Sequence, residues 1–179
     1  MQNPLSNTGN YFQARYKKAD GSEFFGQMLD IPDTSRVSNF LSPRRYLRTK
    51  VTSPIKPTDV VIIDGVTFIV AEHGTGFYKT PIYKHFKLFE VDNLAVWQKN
   101  ELEEDAITGI QKIIRVTQPG AVYLSVQPKS IQEDTLKIPL GTYLAVCNQL
   151  VSRDDILDNK AVIKVDKVLG VYIVELKEL

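Results

Sequence analysis

Two histidines, one cysteine, one acidic run and one basic run are the places in this 179-residue chain where chemistry could concentrate. His73 precedes Gly74-Thr75-Gly76, and His85 lies in a strand-like segment further on. A metal site needs three or four ligands at close quarters, and no Cys-x-x-Cys or second ligand cluster accompanies the histidines. His73 therefore reads as a turn-edge polar group and His85 as a strand side chain. Cys147 ends the apolar run Thr142 to Cys147 and reads as a small buried hydrophobe rather than a nucleophile. A lone cysteine also forms no intrachain disulfide. The Gly74-Thr75-Gly76 segment is too short to cradle phosphate, and neither a P-loop, a dinucleotide fingerprint nor a Gly-x-Ser-x-Gly elbow is present. Glu101, Glu103, Glu104 and Asp105 lack the pattern of a calcium loop and read as a solvated acidic face. The expectation is a protein that is not an enzyme and carries no catalytic residue, cofactor or metal.

The basic run Arg44-Arg45-Tyr46-Leu47-Arg48-Thr49-Lys50 is the remaining chemical signal. Arginine beside tyrosine suits phosphate contact and base stacking. It suits a protein interface as well, where both residue types are enriched, and it also suits a plain solvated surface. Arg44, Arg45, Tyr46 and Arg48 are the candidate interface residues.

Composition bounds these readings. Hydrophobic residues make up 43% and charged residues 24%, the balance of a folded domain with a real core. With 22 basic against 21 acidic residues, the net charge of +1 argues against a general nucleic-acid coat or a polybasic membrane binder, while leaving a local patch open. The N-terminal residues lack a charged segment followed by an apolar one, and no apolar run approaches the roughly 20 residues of a bilayer span. No signal peptide and no membrane segment are expected. The expected location is a cytoplasm, or a particle assembled there.

The elements that must position these residues read as strands. The predicted fold class is mainly β, a small β-barrel or sandwich of short antiparallel strands, with two β subdomains as one form of it. Residues 1–57, rich in proline and turn residues, read as an irregular N-terminal arm with short aromatic islands. Within it, residues 11–18 and 23–29 around Asp20-Gly21 could form a hairpin. Residues 58–99 read as a hairpin-rich barrel part. Its strongest local feature is Asp59 to Val70, two β-branched runs split by Asp64-Gly65. Residues 100–106 read as an acidic linker or a single helical turn. Residues 107–179 read as a second β part, with strands over 107–116, 121–126, 131–138, 142–150, 161–165 and 171–176. Asp59-Val60, Asp64-Gly65, Phe68 and Val70 can be laid over Asp155-Ile156, Asn159-Lys160, Ile163 and Val165 with one residue deleted. Either a duplicated small barrel or two unrelated hairpins would give that echo.

The passage Lys56 to Val70, with Asp59-Val60, Asp64-Gly65, Phe68 and Val70, resembles a hairpin found in head–tail connector and head-closure proteins of tailed phages. The resemblance covers roughly Pro54 to Val91. It implies a structural virion protein that assembles as a homo-oligomeric ring at the neck, as a connector or adaptor between portal and tail proteins. The basic run would then be interface or channel-lining, with DNA contact only if it lines the channel. A tail or baseplate component is the alternative within that class. A nucleic-acid-binding β-barrel, and a small hydrolase or sugar-binding jelly roll, are the alternatives outside it.

Overall fold

The computed structural model describes residues 14–29, 45–73, 83–126 and 141–179, and within them the fold is all β. The strands in chain order are β1 (Ala14–Lys18), β2 (Glu23–Leu29), β3 (Arg45–Lys50), β4 (Val60–Ile63), β5 (Val66–Glu72), β6 (Tyr83–Glu90) and β7 (Asn93–Ala95). They continue with β8 (Trp97–Glu104), β9 (Gln111–Thr117), β10 (Val122–Val126), β11 (Thr142–Cys147), β12 (Ile156–Leu157), β13 (Lys160–Val168) and β14 (Val171–Glu178). The first six close an antiparallel barrel in the order β1-β2-β3-β6-β5-β4. The other eight form one sheet, β7-β10-β11-β14-β13-β12-β8-β9.

That second sheet is the first barrel repeated. Only Val96 separates β7 from β8, yet β7 pairs with β10 and β8 with β12. The sheet therefore rolls round and returns to one extended run, which takes the part of β1. Strand β10 then takes the part of β2, and β11 to β14 those of β3 to β6. Register agrees at every seam. Leu47 lies opposite Phe86 as Ala145 lies opposite Val174, and Val70 opposite Leu88 as Val162 lies opposite Leu176. Tyr16 lies opposite Phe24 as Ala95 lies opposite Val122, and Lys18 opposite Val61 as Trp97 lies opposite Leu157. The last of these equivalences is completed by the pairing of β8 with β12. Phe24, Leu47, Val61, Val70, Phe86 and Leu88 lie in one core. Their counterparts Val122, Ala145, Leu157, Val162, Val174 and Leu176 lie in the other.

The repeat extends to a turn. Ile55 and Val151 are each buried in one barrel's core, and each is followed by a tight turn into the fourth strand. Lys56 N donates to Asp59 Oδ2 (3.0 Å) as Ser152 N donates to Asp155 Oδ2 (2.8 Å). Thr58 and Asp154 both take positive φ, 75° and 72°. Thr58 N bonds Val70 O as Asp154 N bonds Val162 O, and Val70 N bonds Asp59 O as Val162 N bonds Asp155 O. The same aspartate then reaches the first strand. Asp59 pairs with Lys18 Nζ at 2.8 Å, and Asp155 accepts from Trp97 Nε1 at 2.9 Å.

The echo expected between the two hairpins holds for Asp59-Val60 and Asp155-Ile156 and is shifted beyond them. Asp64-Gly65 corresponds to Asp158-Asn159, all four with positive φ, and Val70 corresponds to Val162. The second hairpin is shorter by two residues on each strand. Deletion in pairs preserves which face each side chain occupies, because a one-residue slip would turn core residues outward.

Other expectations need correction. Residues 14–29 and 45–50, read as irregular arm, supply three of the six barrel strands. Residues 1–13, 30–44, 74–82 and 127–140, with the strand expected over 131–138, lie outside the described residues. Residues 100–104, read as a linker or helical turn, are strand, and the strand expected from residue 107 begins at Gln111. Four acidic side chains suggested a linker, but a ladder to β9 satisfies the backbone whatever the side chains are. The division between the two β parts falls at Val91 and Asp92, where β6 gives way to β7.

The barrels pack through a third apolar cluster. Ile69, Ala71 and Phe89 on the outside of β5 and β6 meet Leu144, Val146, Val171 and Ile173 on β11 and β14. These strands are buried on both faces, which explains why neither face of β6 reads as polar. Glu72 N donates to Leu169 O at 2.7 Å beside the contact. Gly170 has φ 76°, and a Cβ there would lie 2.6 Å from Pro57 Cβ. Gly170→Ala should destabilise the chain by at least about 1 kcal/mol in urea unfolding. Asp155→Ala leaves two donors unmatched and should cost about 3 kcal/mol, while Trp97→Ala with Asp155 retained leaves the Ser152 bond in place. Equal stability of Asp155→Ala and the parent chain would remove the turn from its structural role.

Candidate interaction surface

Strand alternation separates the residues of the basic run. Leu47 and Thr49 point into the first barrel, so Tyr46, Arg48 and Lys50 point out. Opposite them on β6 stand Lys87, His85 and Tyr83. The ring of His73, just after β5, lies 4.6 Å from that of Tyr46 and 6.4 Å from that of His85. The Arg48 guanidinium sits 5.6 Å from the Tyr83 ring centroid. Gln27, paired with Arg48 across β2 and β3, completes the patch. Gln27 Oε1 and Arg48 Nε are both buried and have no hydrogen-bond partner among the described residues.

Arg45 does not join this group. It sits on the barrel rim, its Nη1 4.0 Å from Asp64 Oδ2 at the β4–β5 turn, and both side chains are largely exposed. Arg44 lies outside the described residues. Two of the four candidate interface residues, Tyr46 and Arg48, therefore share a face. Sequence reasoning missed their companions His73, His85 and Lys87. Each lies more than twenty positions away in sequence; the β3–β6 pairing brings up His85 and Lys87, and the bond from His73 N to His85 O brings up His73.

Electrostatics mark the patch as strongly cationic for its size. Burial holds the Lys87 ammonium below its usual range. Burial first, then Lys87 and His85, pushes His73 down. Burial and then Arg48 does the same to His85. No carboxylate pairs with Arg48, Lys50, Lys84 or Lys87 among the described residues. Such a surface attracts acidic groups. Cys147 is buried in the second core, its thiol pushed up to about 11 by burial. No group of three metal-ligating side chains occurs among the described residues.

The second feature is the β8–β9 hairpin. Beyond Gln98 it leaves the barrel and stands as a two-stranded arm with a tip at residues 105–110. Leu102 lies opposite Ile113, and these are 69% and 70% exposed; Ile107 and Ile110 at the tip are 95% and 66% exposed. The acidic run lies on the same arm. Glu103 pairs with Lys112 at 3.5 Å. Asp105 folds back to accept from Ile107 N and Thr108 N, which holds its carboxyl below the usual range. In the first barrel the equivalent connection is the tight turn from Lys18 to Glu23.

Compared with known proteins, the chain matches no family model, no curated protein and no solved structure.

The histidines make the fold sensitive to acid. Their native values lie below the ordinary 6.5, so the unfolded chain takes protons first as pH falls. The stability they contribute is present above about pH 6.5 and drains away as pH drops toward their native values. Urea midpoints should fall from pH 7 to pH 5, and His73→Asn with His85→Asn should flatten that slope. An unchanged slope in the double variant would exclude the two imidazoles as its source.

Proposed function

We propose that this chain is a non-enzymatic assembly subunit, and that its assembly is the head–tail junction of a tailed bacteriophage, where copies form a ring as a neck, connector or adaptor. The arm is the observation that carries the first half of this reading. A two-stranded ribbon is marginal alone in water, and its open edges invite pairing. Exposing Leu102, Ile107, Ile110 and Ile113 on it makes sense where another surface covers them. The second half rests on the resemblance of residues 56–70 to a phage head-closure hairpin, a segment that here forms the closing turn and the β4–β5 hairpin of the first barrel.

A nucleic-acid-binding barrel is the second reading, favoured by Arg48 and the Tyr46, Tyr83 and histidine rings on one face. Its binding would weaken steeply with salt as counterions are released, and would be lost in Arg48→Ala.

The deciding experiment is sedimentation of a nuclease-treated lysate from the native source, with the chain followed by mass spectrometry. Migration with large particles beside capsid proteins is the expected result. Migration only as a small species would overturn the virion reading.

A further inference from the structure

We propose that the outer face of β3 and β6 binds a terminal phosphate group, free or monoesterified, held as its dianion by Arg48 and Lys50 beside His85. The proposal goes beyond the assembly reading and does not depend on it. Register sets the side chains in a block. Arg48 lies opposite His85, and Lys50 lies opposite Tyr83. All four point away from the first core, because Leu47 and Thr49 on β3 and Phe86 on β6 point into it. The neighbouring row is closed. Tyr46 and His73 stand on either side of β6, yet their rings approach to 4.6 Å, and Lys87 between them is 8% exposed. Arg48 and His85 are half-buried and Lys50 is exposed, so these three remain open to a ligand.

No carboxylate of the described residues answers the charge. Glu72 and Glu90 alternate to the side of Val70 and Leu88, and Glu23 on β2 is held by Arg15 at 3.3 Å. Gln27 lies opposite Arg48 without bonding it, and Gln27 Oε1 and Arg48 Nε are both buried with no partner among the described residues.

The internal repeat shows that the fold does not demand charge here. By register, Tyr46, Arg48 and His85 occupy the positions that Leu144, Val146 and Ile173 occupy in the second barrel. Those residues are apolar and pack against the first barrel. The basic set in the first barrel therefore answers a different need.

The chemistry of the block selects the ligand. A guanidinium and an ammonium together carry two positive charges, which match a terminal phosphate dianion, whereas a phosphodiester carries a single negative charge. The Arg48 guanidinium lies 5.6 Å from the Tyr83 ring centroid, a contact that orients its fork. His85 is held down by burial and then by Arg48, so near neutral pH it is an uncharged donor of one ring N–H. A bound dianion offsets Arg48 and favours protonation of the imidazole.

The test uses the full chain and inorganic phosphate in calorimetry at low salt, with the His85 imidazole followed by NMR. One phosphate per chain is expected, with a dissociation constant on the order of 1 mM. The His85 pKa should rise when phosphate binds. Arg48→Ala and Arg48→Lys should each weaken binding at least tenfold, since lysine keeps the charge but lacks the fork. Lys50→Ala should weaken it less, and Arg115→Ala on the β8–β9 arm should bind as the parent does. A urea melt shows that each variant folds. A second titration compares a short oligothymidylate with and without a 5′-phosphate. Tighter binding of the phosphorylated strand, lost in Arg48→Ala, is expected. Absence of phosphate binding at low salt, or undiminished binding by a folded Arg48→Ala chain, would overturn the proposal. Equal binding of the two strands would overturn the terminal-phosphate assignment in favour of backbone phosphodiesters.

Discussion

Each barrel closes at the seam between its first and fourth strands, and one aspartate fastens that seam. Asp59 and Asp155 both cap the turn that launches the fourth strand, and both hold a side chain of the first strand. The pairing at these seams is short, two residue pairs in each. A carboxylate that organises the turn and grips the opposite strand compensates for a short ladder. The partner differs, an ammonium from Lys18 in one barrel and an indole N–H from Trp97 in the other. Both are donors on long side chains, so the geometry survives a change of chemistry.

With both barrels closed, their outer faces are free to specialise. The outer positions of β11 and β14 are apolar and are covered by β5 and β6 of the other barrel. The corresponding positions of β3 and β6 are basic and aromatic. The two barrels do not meet through equivalent faces, so their contact is heterologous. The connection that is a tight turn in the first barrel is drawn out as an arm in the second. The tandem repeat thus carries two different specialisations on one scaffold, which a single barrel of this size could not present at a distance from each other.

The cationic face is also costly to maintain. Burial depresses Lys87, His73 and His85, with Lys87 and His85 adding to the effect on His73 and Arg48 to that on His85. Among the described residues no carboxylate pairs with them, so the cluster gains no ion-pair stability in return. Strain of this kind is expected where a surface is kept for a ligand or partner.

Much of the β character was legible from residue order. The Asp64-Gly65 hairpin and the strands at β6, β10, β11, β13 and β14 follow from alternation, β-branching and turn residues, which are local properties. The hairpin around Asp20-Gly21 was legible for the same reason. What local pattern could not convey was the membership of residues 14–29 and 45–50 in a barrel, because closure depends on strands distant in sequence. It also misread Glu101 to Glu104, since a ladder with β9 overrides an acidic composition. The repeat showed in the sequence only as a faint echo, aligned correctly at Asp59 and Asp155 and wrongly beyond them, because paired deletions in the hairpin leave the fold intact while shifting the residues that follow. The face that joins Tyr46 and Arg48 to His73, His85 and Lys87 was decided by tertiary structure alone: hydrogen-bond pairing between β3 and β6 sets which side chains become neighbours, and no local signal encodes that register.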